Sequence, residues 1–222
     1  MDPYKFIKES IIHGRFEPGF RLTEEFLAKE LGISRTPIRE AIKQLEAEDL
    51  ITPLKRGVIV RQFTKEDIRQ IYDIRSLLEG YAASQAAIHR TDEDMQRMEE
   101  ANQRYGQTID RYLNSNSDSI DEIVTVNQDF HESIVAASKN QQISYHISKV
   151  VVVPLIFRSF YWYKPSQIRR SHETHNAVLE AIKSKDAERA RIALQEHIYQ
   201  GRDHVFKHLD SIEFQFLTKE EA

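Results

Sequence analysis

Asn127 and His131 stand one helical turn apart in the stretch NQDFHESI, on the same face as Ile120, Val124, Ile134 and Val135. A buried amide or imidazole without a partner costs about 1–3 kcal/mol, so the pair calls for something inside the fold to bind. Two further histidines repeat the pattern. His175 falls in the stripe Ile168, Val178, Leu179, Ile182, and His197 falls with Ala190, Ala193, Leu194 and Gly201. Three helices that each offer an imidazole from an apolar face make a ligand set for a divalent cation. The same groups could instead bond one another or water, or recognise a polar effector directly. A three-histidine ion with open positions would also suit a hydrolase, which needs a carboxylate to activate water. Glu132 is nearest in sequence but should face away from His131.

A second stretch, SRTPIRE, has a different chemistry. Ser34 and Thr36 offer hydroxyls, and Arg35 and Arg39 offer guanidinium groups, all in the opening turns of one helix. Arginine reads guanine edges or clamps phosphate in bidentate fashion, and a helix N-terminus itself favours phosphate. Downstream, Lys55 and Arg56 stand beside Gly57 at a turn, where two cations on a hairpin tip could enter a minor groove and a side chain at 57 would hold the tip off the DNA. Alone, SRTPIRE is also what a capped surface helix looks like.

The surrounding elements decide between these readings. Phe6, Ile7, Ile11 and Ile12 predict a short helix closed by Gly14, and EPGFRL reads as a turn. Thr23 caps a second helix that ends at Gly32, and Ser34 caps a third with Pro37 in its first turn and the stripe Ile38, Ala41, Ile42, Leu45, Leu50 facing inward. TPLKRGVIVRQF then alternates as a hairpin. Two helices joined by GIS and followed by a hairpin form a winged helix-turn-helix, whose second helix enters the major groove.

Beyond residue 63 only long helices are expected, over Thr64 to about His89, Thr91 to Leu113, Ile120 to Ala137, Gln142 to Trp162, Pro165 to Ser184, and Ala187 to Leu209. Short connections between them predict a bundle of about six antiparallel helices. The expected fold is therefore mainly α, a winged helix-turn-helix over 1–63 and an all-helical domain over 64–222.

Composition narrows the function. With 40% hydrophobic and 30% charged residues and a net charge of −4, the chain reads as a globular protein. The longest apolar run, Val150 to Phe157, is too short for a membrane span, and the N-terminus has no apolar signal core, so no export is expected. The absence of cysteine leaves only nitrogen and oxygen ligands for a metal and suits a cytoplasmic location. Residues 1–62 carry 11 basic against 10 acidic residues, so any basic face must be local.

The stretch from FEPGFRLTEEFLAKELGISRTPIREAIKQLEAEDL to the hairpin resembles the GntR family of bacterial transcription regulators, and IYDIRSLLEGYAA onward resembles the FCD ligand-binding domain of its FadR subfamily. The resemblance runs to about Leu209 and implies a homodimer on a palindromic double-stranded DNA operator. It implies that Arg35, Thr36, Arg39 and Gly57 contact DNA. It also implies a metal held by an Asp-x-x-x-His pair and two later histidines, here Asn127, His131, His175 and His197, with the family's 22-residue interval between the last two. Zn²⁺ or Ni²⁺ is expected, with Mn²⁺ as a third choice, and a small organic acid as effector. Arg75 and then Arg158 are the cations placed to meet it, although Arg75 and Glu79 at i, i+4 also read as a simple ion pair. Two departures stand out. Asn127 replaces the family aspartate and brings no charge, and Glu25 stands where some relatives carry a DNA-contacting arginine. A metal-free regulator that binds acyl-CoA or another effector directly is the alternative, ahead of a hydrolase.

Overall fold

The structure, a computed structural model, describes residues 2–115, 119–151 and 159–220, which form two compact units. The first contains α1 (Pro3–Ile12), β1 (Arg21–Leu22), α2 (Glu24–Leu31), α3 (Arg35–Ala47), β2 (Ile51–Pro53) and β3 (Val58–Val60). The Thr23 side chain accepts from the Phe26 amide to start α2, and Gly32, at φ +66°, ends it in the left-handed region. Ser34 sits at the N-cap of α3 but its side chain makes no capping bond, contrary to expectation. Ile38, Ala41, Ile42 and Leu45 of α3 pack with Ile7, Ile11, Leu22, Leu27, Leu50, Val58 and Val60 in one core.

The hairpin is present, and it is joined by a strand that the sequence reading missed. β1 pairs antiparallel with β3, Arg21 opposite Ile59, so the sheet order is β1-β3-β2. Two residues are too few to carry an alternating pattern, which is why EPGFRL read only as a turn. β1 also gives Gly57 an internal reason to be glycine. Gly57 has φ +81°, and a Cβ there would overlap the Leu22 carbonyl. Gly57→Ala should therefore destabilise this unit by about 1–3 kcal/mol. Thermal unfolding of the variant checks this, and an unchanged midpoint would remove β1 as the constraint.

The second unit contains α4 (Lys65–His89), α5 (Asp92–Ser115), α6 (Ile120–Ala137), α7 (Gln141–Val150), a 3-10 turn (Ser159–Trp162), α8 (Pro165–Lys183) and α9 (Ala187–Glu220). α4 and α9 run antiparallel and close together. Arg202 lies 3.6 Å from Asp73, the Ser76 and Tyr199 hydroxyls are 3.0 Å apart, and Gly80 faces Gln195, whose Cγ would be 2.6 Å from a Cβ at position 80. Ala83, Ala86 and Ala87 of α4 join Met98, Phe130, Ile134, Val178, Ile182 and Leu194 in the core. Small residues on α4 let four helices converge there.

Two expectations change. The helix expected from Gln142 to Trp162 ends at Val150, and residues 159–162 form a 3-10 turn. The last helix continues past Leu209 to Glu220. Ile74, next to Arg75 on α4, is 46% exposed. Among the described residues, no helix is long and apolar enough to cross a membrane.

Candidate metal centre and DNA-reading helix

In the second unit, α6, α8 and α9 bring His131, His175 and His197 together, their ligand nitrogens all within 4.8 Å of one another. His197 Nε2 lies 3.2 Å from His131 Nε2 and 3.3 Å from His175 Nε2. Two imidazole nitrogens, each about 2.0–2.1 Å from one ion, stand about 2.9–3.4 Å apart at angles from square to tetrahedral. The spacing therefore fits a shared cation. His175 is fully buried, stacks on Phe130 at 4.1 Å, and has no partner for Nδ1.

The partners of the outer ring nitrogens leave the inner ones free to act as ligands when the rings are neutral. Glu79 Oε2 accepts from His131 Nδ1 at 2.7 Å, and a carboxylate only accepts, so Nδ1 carries a proton, and in the neutral ring that leaves Nε2 bare. Thr174 Oγ1 lies 2.8 Å from both the Ser171 carbonyl and His197 Nδ1. When Thr174 donates to that carbonyl, it receives the His197 Nδ1 proton, which bares His197 Nε2 as well. With both rings neutral, two lone pairs face each other at 3.2 Å, an arrangement that a cation between them relieves and that a second proton on His131 would relieve as well.

The electrostatics keep the rings ready as ligands. Burial, with the neighbouring His197 and His131 rings, holds the His175 pKa well below its usual value. Burial and then the His131 ring lower His197 to about 3. Both are neutral near pH 7, the form that binds metal. Burial alone would push the Glu79 carboxyl up, but Arg75 and His131 outweigh it and hold the group at about 2.

Asn127 lies one turn before His131 on α6, and its Oδ1 is buried without a hydrogen-bond partner. An orphaned buried acceptor one helical turn from His131 is the kind of atom a cation satisfies. Asp129 points elsewhere, to Arg104 at 3.4 Å. Arg75 donates through Nε to Glu79 Oε1 at 2.8 Å, so the i, i+4 pair forms, but inside the fold rather than on its surface. Arg158 lies outside the described residues. His172, His204 and His208 are partly buried, and His208 stacks on Trp162 at 4.2 Å. Glu79 and Thr174 are the site residues that sequence reasoning passed over. The only signal for Glu79 was its spacing from Arg75.

In the first unit, Arg35 and Arg39 project from the opening turns of α3, both more than half exposed. Arg39 donates through Nε and Nη2 to both carboxylate oxygens of Glu24, and Arg35 lies 3.8 Å from Glu25. Thr36 follows Arg35 in the first turn of α3, and Ser34 precedes it at the cap. At the hairpin tip, Arg21 donates to the Arg56 carbonyl at 2.9 Å, and Lys55 and Arg56 extend from the exposed turn.

Residues 4–60 match the bacterial regulatory proteins of the gntR family, and residues 70–200 match the FCD domain. The chain belongs to the GntR family. It is 30% identical over 213 residues to the uncharacterized HTH-type transcriptional regulator YdhC of Bacillus subtilis (strain 168), covering 94% of this chain and 90% of that one. It is 29% identical over 185 residues to a gluconate operon transcriptional repressor of Bacillus licheniformis, covering 81% and 74%. The solved structure of McbR/YncC from E. coli has the same fold, with a TM-score of 0.79, 24% identity and coverage of 93% and 96%. This GntR protein is accordingly a DNA-binding transcription regulator and not an enzyme. Its helical unit is an FCD domain that carries a histidine triad able to hold a metal.

Proposed function

We propose that this regulator binds a palindromic operator as a homodimer in the cytoplasm and that a small carboxylate, bound at a divalent ion in the FCD unit, sets its DNA affinity. Residues 1–63 read DNA through Ser34, Arg35, Thr36 and Arg39, with Lys55, Arg56 and Gly57 at the hairpin tip. Residues 64–222 bind ligand and dimerise. Exposed Ile74, Leu77, Tyr81 and Ile88 lie along one side of α4 and support self-association.

The observation that carries the ligand reading is the convergence of three Nε2 atoms at 3.2 and 3.3 Å inside the FCD unit. His131, His175 and His197 would hold Zn²⁺ or Ni²⁺, with Mn²⁺ as a third choice, and Asn127 would add a neutral oxygen. The ion supplies positive charge for a carboxylate. Arg75, and Arg158 beyond the described residues, are the cations for the effector's other end. A relative named for a gluconate operon fits a hydroxy acid as the effector class.

Elemental analysis of protein purified without chelator or affinity tag tests this. About one ion per chain is expected, lost in His131→Ala. If added Zn²⁺, Ni²⁺ and Mn²⁺ all fail to bind the parent, the metal reading falls and the imidazoles bond one another, water or the effector directly.

A further inference from the structure

The arginines that open α3 are each paired with a carboxylate from the first turn of α2, and the two pairs differ in kind. Glu24 grips Arg39 with both oxygens at 2.9 and 2.8 Å, which fixes the guanidinium plane. Glu25 stands 3.8 Å from Arg35, with the two side chains 82% and 61% exposed. A loose, solvated pair of this kind adds little stability. Its position is nonetheless sensitive. In a helix-turn-helix the first helix crosses the DNA backbone and the second enters the groove, so a carboxylate beside Arg35 is brought towards phosphate.

We propose that Glu25 is a specificity residue, whose charge weakens the regulator's grip on DNA that lacks its operator. On non-operator DNA, Arg35 has only phosphate to gain, and Glu25 both competes for the guanidinium and repels the backbone. On the operator, Arg35 gains a bidentate partner on a guanine edge, and that directional contact outcompetes a solvated carboxylate. Glu25 therefore costs binding on wrong DNA more than on right DNA, which widens the ratio between them. The argument needs Arg35 in the groove, which a helix-turn-helix provides, but it does not depend on the metal centre.

The test uses fluorescence anisotropy across a salt series on two probes. One is a random-sequence duplex, and the other is the duplex that the parent protein enriches from a random library. Glu25→Gln is compared with Glu9→Gln, which makes the same charge change at an exposed position of α1. Glu25→Gln should tighten the random duplex by roughly threefold to tenfold, steepen its salt dependence, and tighten the enriched duplex less. Glu9→Gln should leave both probes nearly unchanged. Random-duplex binding no tighter in Glu25→Gln than in Glu9→Gln would overturn the proposal. Loss of affinity for the enriched duplex would also overturn it, because Glu25 would then be reading a base.

Discussion

Glu79→Ala is expected to destabilise the FCD unit by about 3–5 kcal/mol, because it strands two buried partners at once. Glu79 has no exposed surface, and it accepts from Arg75 Nε at 2.8 Å and from His131 Nδ1 at 2.7 Å. Without it, the Arg75 guanidinium keeps its charge in a dry interior, and the His131 ring loses the contact that fixes its tautomer. Glu79→Gln separates the two losses. The amide has the same size but no charge, and it accepts through one atom only. The fold should survive better, while metal affinity should fall about 10–100-fold, the usual cost of losing a carboxylate behind a ligating histidine. Urea unfolding followed by the fluorescence of Trp162, the single tryptophan, measures the first effect, and competition with a zinc chelator measures the second. Parent-like zinc affinity in Glu79→Gln would mean that Glu79 is a packing ion pair and nothing more.

Chelator-stripped protein should lose stability steeply on mild acidification. His175 and His197 resist protonation in the folded state, His197 down to about 3, whereas unfolded histidine titrates near 6.5. Above pH about 6.5 both states are neutral and the two rings contribute no pH dependence. Below it the unfolded chain takes up protons that the native rings refuse, so stability falls as pH falls, until the folded pKa is passed. His197 alone costs about 2 kcal/mol between pH 7 and pH 5, a window that lies mostly above carboxylate titration, and His175 adds to the loss in the same direction. Urea midpoints at the two pH values, with and without Zn²⁺, check this. The acid sensitivity should shrink in a His175→Gln, His197→Gln double variant, and equal midpoints at pH 7 and 5 in stripped parent protein would show that the rings are not buried as described.

How much of this was legible in the sequence depended on the reach of each interaction. α6 was read to its residue limits because its signals are local: Ser119 accepts from the Glu122 amide at one end, and the apolar spacing lapses into Ser138 and Lys139 at the other. The three histidines were visible because each sits on a helical stripe. Glu79 was not, because its partner His131 is 52 residues away and an i, i+4 Arg–Glu pair looks the same on a surface as in a core. Only the packing of α4 against α6 and α9 distinguishes the two. β1 escaped for a related reason, since a two-residue strand is defined by its neighbour in the sheet and not by its own pattern.

The wing tip separates what selection must keep from what it is at liberty to change. Leu22 closes on Gly57 from one side and Arg21 holds the Arg56 carbonyl, so the backbone path of the turn is dictated from within the sheet. The side chains of Lys55 and Arg56 have no part in that arrangement and extend from it. A lineage carrying this sheet could therefore retune its preference for groove width or phosphate spacing by substitution at 55 and 56 alone, while the scaffold that presents them stays unaltered. Operator drift and fold maintenance would then be governed by different residues only one or two positions apart.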